Sequence, residues 1–342
     1  MKNKEKQFIS QSQVFLNKLL NQRGVSSIEE IEDITKRQVF PLVPVIIEDV
    51  VSLTESEKNQ LINNYRTFGV AYFVVSNNVD SHAKLHPIFA IAEQLKDSIN
   101  LSYPLIHPLE GHPEAINRFG ESDSTVKIYN LPKLEEKGYR EVAETNLAFE
   151  VHSDGLGSGN TVENFILYCD EAPLFGGFTF FYDIFSLSLC LAKNDFDAFQ
   201  QLFLPDAITA IRPRGKGAIK VVSPILYLDD DEKPNAFFRK NSGEYVMKWH
   251  NGNKSFNRGI DFLKQYTEPF CNGSYFTYFS RKGHGIISKN FGLAHGRTPF
   301  IDGDITEHKR VLSRKWYMKT AFHQEYKHVP GMLVSRKYAK LY

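Results

Sequence analysis

An α+β fold with a mainly β core is what this 342-residue chain predicts, and three observations carry the prediction. From residue 147 onward, short apolar and aromatic runs follow one another between Gly, Asp and Asn turns, the texture of a sandwich or barrel. Before residue 102 the texture is different, with apolar stripes at helical spacing and capping boxes that mark helix starts. Aromatic side chains are plentiful, 27 Phe and 16 Tyr, which suits a β-rich core better than a helical bundle.

In chain order, Phe8, Phe15, Leu16, Leu19 and Leu20 share one stripe and predict a helix over residues 5–22. Ser26-Ser27-Ile28-Glu29 has capping-box spacing and opens a second, short helix. "PLVPVIIEDV" reads as a strand. Thr54-Glu55-Ser56-Glu57 is another capping box, beginning a helix that runs to about Phe68 with Gly69 as its C-cap. "VAYFVV" (70–75) is a buried strand, and residues 80–100, with Ile88, Ala90, Ile91 and Leu95, predict a third long helix. Residues 103–145 carry Pro104, Pro108, Pro113 and Pro132 with little periodicity, the pattern of a functional loop or lid. Beyond them lie "LAFEVHSD", "NFILYCD", "GGFTFFYD", "AIKVVSPILYLD", "NAFFRKN", "EYVMKW", "SYFTYFS", "GIISKN", "LAHGRTPF" and "RVLSRKWYMKT", all strand-like. One helix over 186–203 interrupts them, and "KSFNRGIDFLKQYTE" predicts another. The expected organisation is one domain over 1–342: a helical and strand layer (1–101), a lid (102–146), a β core (147–320) and a C-terminal tail (321–342).

Composition narrows the function. Hydrophobic content of 42% and charged content of 24% are those of an ordinary soluble protein. A net charge of +1 with no basic tract argues against nucleic acid and against a polybasic membrane patch. No apolar run reaches the ~18–20 residues of a membrane helix, and "MKNKEKQFISQSQVF" lacks the apolar stretch of a signal peptide. Cys169, Cys190 and Cys271 are widely spaced and form no CxxC, which predicts a reduced, cytoplasmic protein. Oligomeric state has no signature in the sequence.

The chemistry concentrates in "FEVHSDGLGSG" (149–159), a strand entering a glycine-rich loop. Residues two apart on a strand face one way, so His152 and Asp154 point together. A metal site, an acid/base pair and a structural hydrogen-bonded pair all fit that spacing. A metal held by two His and one carboxylate on one face leaves three positions open, the non-heme Fe(II) arrangement that activates O2; it needs one more imidazole. His82, His86, His107, His112, His250, His284, His308, His323 and His328 sit in polar surroundings and read as surface or hydrogen-bonded residues. His295 differs, because in "NFGLAHGRTPF" it ends an apolar run directly before a glycine turn, as His152 does.

"VHSDG", "GGFT", "NFGLAHGRTPF" and "RVLSR" follow in the order and spacing of the Fe(II)/2-oxoglutarate dioxygenases related to taurine dioxygenase and clavaminate synthase, which the chain resembles over roughly 147–320. The resemblance implies a double-stranded β-helix (jelly roll) with a helical N-terminal layer and lid insertions. It implies His152, Asp154 and His295 as the iron ligands, and Arg310 as the Arg that grips the distal carboxylate of 2-oxoglutarate, a task suited to a planar, always-charged fork. Thr179 matches the hydroxyl that touches the same carboxylate. Arg314, four residues after Arg310, takes the place of a substrate-facing Arg, and Asn290 that of an Asn supporting the ligands. A carboxylate at Asp154 argues for hydroxylation, desaturation or cyclisation and against halogenation, which leaves that ligand position empty for chloride.

The activity so implied is hydroxylation of an unactivated C–H with Fe(II), 2-oxoglutarate and O2, giving succinate and CO2. The expected substrate is a small molecule, first of all a free L-amino acid of the Lys or Arg type. Asp229, Asp230, Asp231 and Glu232 of "LYLDDDEKPN", with Glu121 and Asp123, are candidate partners for its cation, although such a run is also what a solvated hairpin tip looks like. Another small carboxylate, a sulfonate or a carrier-tethered amino acid is the alternative. A non-catalytic jelly-roll binding protein would have no need of a complete ligand triad, and a zinc hydrolase would need a general base that the motifs do not supply.

Overall fold

The computed structural model describes residues 2–33, 43–76, 86–101, 103–104, 126–130, 143, 145–155, 162–214, 217–229, 231–240, 245–250, 253–269, 274–279, 281–305 and 308–318. Strands β1 (Val45–Ile47), β2 (Val70–Val75), β3 (Tyr103–Pro104), β4 (Val126–Tyr129), β6 (Val162–Glu171), β15 (His284–Lys289) and β18 (Val311–Met318) build a seven-stranded sheet in the order β1-β2-β15-β6-β18-β3, with β4 also on β18. Only β1 and β2 run parallel. A four-stranded antiparallel sheet, ordered β14-β8-β16-β5, comprises β5 (Phe149–His152), β8 (Phe178–Asp183), β14 (Ser274–Phe279) and β16 (Leu293–Arg297). A third sheet holds β9 (Ile208–Arg214), β10 (Gly217–Ser223) and β13 (Val246–Trp249); β11 (Leu226–Leu228) pairs with β12 (Pro234–Ala236), and β7 (Phe175–Gly176) with β17 (Phe300–Ile301).

The two larger sheets meet through side chains set by strand alternation. On β6, Phe165 and Leu167 join Phe181 and Leu293 of the smaller sheet, whereas Ile166 and Tyr168 turn to the helices on the outer face. A strand covered on both sides needs apolar residues at every position, which is why "FILYC" shows no polar alternation. Strand β18 alternates likewise: Trp316 packs with the inter-sheet cluster and Tyr317 with the helical side.

The helical layer follows local signals. Helix α1 (Lys2–Arg23) buries Phe15, Leu16, Leu19 and Leu20, with Phe15 packed on Phe185 and Phe199 of the helices over 184–194 and 196–201. Helix α2 (Glu55–Phe68) has the expected box, in which the Thr54 hydroxyl accepts from the Glu57 amide and the Glu57 carboxylate accepts from the Thr54 amide; Gly69 caps its end at φ +74, where a side chain would be strained. Helix α3 (Pro87–Ile99) begins at Pro87 behind the His86 cap, later than the start expected near residue 80. Among the described residues no helix is long and apolar enough to cross a membrane.

Several expectations need correction. The box after residue 25 closes on Glu30, not Glu29: its carboxylate accepts from the Ser26 and Ser27 amides around a 3-10 turn, Ile28–Glu30. The single helix expected over 186–203 is two, α4 (Ile184–Asn194) and α5 (Phe196–Gln201), because the Asp195 carboxylate turns to accept from the Ala198 amide and caps a new start. "AIKVVSPILYLD" breaks at Pro224 into β10 and β11. Strand β9, "ITAIRPR", was not anticipated because its prolines and arginines mask the period. Of the segment expected as a lid, 102–146, two short pieces, β3 and β4, are strands of the main sheet; most of the rest lies outside the described residues, as do residues 319–342.

Candidate metal centre and its pocket

The register of the smaller sheet makes His152 and His295 direct partners across the β5–β16 ladder, so two imidazoles far apart in sequence share one face. Their ring centroids are 4.4 Å apart. Asp154 is not on the strand as expected: β5 ends at His152, and the chain bends there. The bend is held by the Ser153 amide donating to the Phe238 carbonyl at 2.9 Å and by Asn290, which bonds both backbone groups of Asp154. Asp154 thus reaches the imidazoles by a turn and not by strand alternation. Its Oδ1 is 3.6 Å from His152 Nε2, and its Oδ2 is 3.9 Å from His295 Nε2. One ligand atom from each residue falls within a 4.8 Å cluster.

Protonation suits a cation at this point. The His152 Nδ1 lies 2.8 Å from the Glu150 carbonyl, which can only accept, so Nδ1 carries the proton and Nε2 keeps its lone pair for a metal. His295 Nδ1 has no hydrogen-bond partner among the described residues. Burial, joined by the neighbouring His152, pulls the His295 imidazole down to about 3, and burial lowers His152 as well, so both rings are neutral at working pH. Burial pushes the Asp154 carboxyl up, but the adjoining His152 and His295 rings and the Arg314 guanidinium outweigh it and hold the carboxyl well below the usual range. Two neutral imidazoles and one carboxylate on a single face match the donor set of a non-heme Fe(II) site with open positions.

The centre opens into a pocket lined by Phe149, Leu167, Thr179, Arg297, Arg310, Leu312 and Arg314 as well as the triad. The triad, Thr179, Arg310 and Arg314 therefore meet in one place. Thr179 comes from β8, just after Gly176 and Gly177, both at positive φ; a Cβ on Gly176 would stand 2.4 Å from the Pro299 carbonyl, so only glycine lets β7 pass so close to the chain after β16. Arg310 precedes β18, is 3% exposed, and has its backbone amide bonded to Asp302 Oδ1 at 2.8 Å. The Arg314 guanidinium lies 3.9 Å from Asp154 Oδ1 and 4.1 Å from the centre of the Trp316 ring.

Three lining or supporting residues escaped the sequence reading. Arg297 sits two residues after His295 on the same strand and donates to the Thr145 and Leu147 carbonyls at 2.9 and 2.6 Å. Phe149 stacks on His152 at 3.9 Å, and the Trp316 indole donates to Asp154 Oδ2 at 2.9 Å. Strand alternation, counted two from His295 and two from Arg314, would have found Arg297 and Trp316.

Three of the other four histidines within the described residues have structural partners for their rings. His86 caps α3 and pairs with Asp170 at 2.8 Å, His284 meets the Tyr72 hydroxyl at 2.6 Å, and His250 pairs with Asp206 at 3.1 Å. Ser313, His86 and Asp170 cluster with Lys127, but Ser313 is fully buried and donates to Asp170, so no nucleophile is presented. Of the acidic run, Asp229, Asp231 and Glu232 lie between β11 and β12, tied to α1 by Lys18–Glu232, and do not line the pocket, contrary to one expectation. Asp230, Glu121 and Asp123, like His82, His107, His112, His323, His328 and Cys271, lie outside the described residues.

A comparison with curated proteins finds no match. Among solved structures, an asparagine oxygenase in complex with Fe(II), 2S,3S-3-hydroxyasparagine and succinate is similar at 13% identity and a TM-score of 0.54, covering 83% of this chain and 86% of its own. A variant of the non-heme iron oxygenase OrfP in complex with (3S)-hydroxy-L-Arg is similar at 13% identity and a TM-score of 0.55, covering 82% and 86%. These likenesses concern the fold, a mixed helix and strand architecture. The family model for taurine catabolism dioxygenase TauD, TfdA family, matches residues 30–316, an interval that includes His152, Asp154 and His295. The chain belongs to the TauD/TfdA family and is a 2-oxoglutarate-dependent non-heme iron dioxygenase.

Proposed function

We propose that the protein hydroxylates an unactivated C–H of a small substrate, with Fe(II) held by His152, Asp154 and His295. The observation that carries this reading is the convergence of these three with Thr179, Arg310 and Arg314 on one pocket. Fe(II) with 2-oxoglutarate and O2 supplies the oxidising power that turns C–H into C–OH, while the cosubstrate leaves as succinate and CO2. Arg310 grips the distal carboxylate of 2-oxoglutarate with its fork, and the Thr179 hydroxyl donates to the same group. Both are buried, so the carboxylate exchanges water for charge-assisted bonds in a low dielectric. Phe149 and Leu167 exclude water from the face where the substrate carbon sits. The double-stranded β-helix is the topology we assign to the two facing sheets, within a single domain.

Arg314 faces the same pocket beyond Asp154 and is placed to take a substrate carboxylate, which favours a free L-amino acid. The hydroxylated amino acids bound in the two similar structures support that class. A basic side chain is the first to test. Cys169 and Cys190 are buried cysteines, in keeping with a cytoplasmic setting. The test is anaerobic assembly with Fe(II) and 2-oxoglutarate, then O2 and a panel of free amino acids, with mass spectrometry watching for one added oxygen. Succinate formed in step with a hydroxylated amino acid is the expected result; no succinate with any member of the panel counts against the substrate class.

A further inference from the structure

We infer that Trp316 is a positioning residue that orients two functional groups at once, the Asp154 carboxylate and the Arg314 guanidinium. The inference rests on the reading of Asp154 as an iron ligand and of Arg314 as the substrate cation. Asn290 pins the backbone of Asp154 through its amide and carbonyl, but bonds to the main chain leave the side-chain torsions free. A monodentate carboxylate ligand needs its second oxygen held, or the plane of the group turns and the lone pair leaves the metal. The Trp316 Nε1–H supplies that hold, donating to Asp154 Oδ2 at 2.9 Å and leaving Oδ1 on the side of His152.

The same ring serves Arg314. Two residues apart on β18, Arg314 and Trp316 project from one face, and the guanidinium carbon lies 4.1 Å above the indole centroid. A long Arg side chain in a pocket has many rotamers, and a rigid aromatic plate selects those that lie flat on it. The guanidinium so held stands 3.9 Å from Asp154 Oδ1. Without the plate, its attraction to the carboxylate would draw it onto the ligand oxygen. Trp316 therefore keeps the cation beside the iron ligand and available to a substrate carboxylate. Tryptophan meets both demands because it joins a donor-only N–H to a large π face.

The chain has two tryptophans, so the indole N–H region of a 15N spectrum holds two signals, from Trp249 and Trp316. The experiment titrates the full-length 15N-labelled protein with Zn(II), a redox-silent and diamagnetic probe, and separately measures Fe(II) affinity of wild type and Trp316→Phe without oxygen. Phe keeps the apolar plate and loses the donor. The expected result is that Zn(II) moves one indole signal, that this signal is the one missing from Trp316→Phe, and that the variant binds Fe(II) about 10- to 100-fold more weakly. Fe(II) affinity equal to wild type in a folded Trp316→Phe would overturn the inference. So would two unmoved indole signals while Zn(II) binds one to one, a reading that needs no variant to fold. Wild-type protein that takes up no metal would overturn the iron reading itself, and this assignment with it.

Discussion

Asn290 grips Asp154 by both of its backbone polar groups: Oδ1 accepts from the Asp154 amide at 2.8 Å, and Nδ2 donates to the Asp154 carbonyl at 3.0 Å and to the Val162 carbonyl at 2.9 Å. Asn290 is 1% exposed, so its removal strands three buried backbone groups where water does not replace it. Asn290→Ala should lower stability by about 3 kcal/mol in urea unfolding and weaken Fe(II) binding with it. Asn290→Asp keeps the acceptor, loses the two donors and places a second charge beside Asp154; it should bind iron no better than the Ala variant.

Removing either imidazole tests the centre directly. His152→Ala and His295→Ala should fold, hold substoichiometric iron by elemental analysis, and lose the weak visible charge-transfer band that Fe(II) and 2-oxoglutarate give together without oxygen. A variant that keeps the wild-type band would remove that residue from the ligand set.

Arg310 is expected to act on the cosubstrate alone. Arg310→Met should raise the KM for 2-oxoglutarate about 100-fold, or roughly 2.7 kcal/mol. Arg310→Lys should recover only part of this, since a point charge cannot reproduce the two-pronged grip. The check is steady-state succinate formation over a range of 2-oxoglutarate concentrations, with the band above as an independent measure of binding.

Acid stability should depend on Asp170. Burial raises its carboxyl, but the His86 bond, the Lys127 charge and the Ser313 hydroxyl together hold it below the ordinary value. A carboxyl depressed in the folded protein stabilises above its unfolded value, about 3.9, and that contribution is lost as pH falls through the lower folded value. Asp170→Asn should therefore be less stable than wild type at pH 7 and should show a shallower decline below pH 4. Urea midpoints of both proteins between pH 7 and pH 3 provide the measurement.

Much of this architecture is legible in short windows. Thr54 and Glu57 announce α2, the unbroken "FILYC" announces a strand covered on both faces, and HxD, GGFT, HGRTPF and the paired Arg mark the pocket wall. The misreadings are equally local. Asp195 looks like one more polar residue on a helix until its carboxylate caps a new start, and the prolines and arginines of β9 hide a strand. In each case a single side-chain bond or backbone constraint overrides a periodicity that is only a statistical preference.

By itself the sequence determined the residue types of the site, their order along the chain and the alternation that sends Arg314 and Trp316 to one face of β18. Only the tertiary structure decided that His152 stands opposite His295, that Asp154 arrives by a bend held by Asn290, that Arg297 lines the pocket and that Trp316 bonds the Asp154 carboxylate. The physical reason is range. Propensity and period act over a few residues, whereas ladder register and side-chain hydrogen bonds join residues more than a hundred apart and leave no trace in either local stretch.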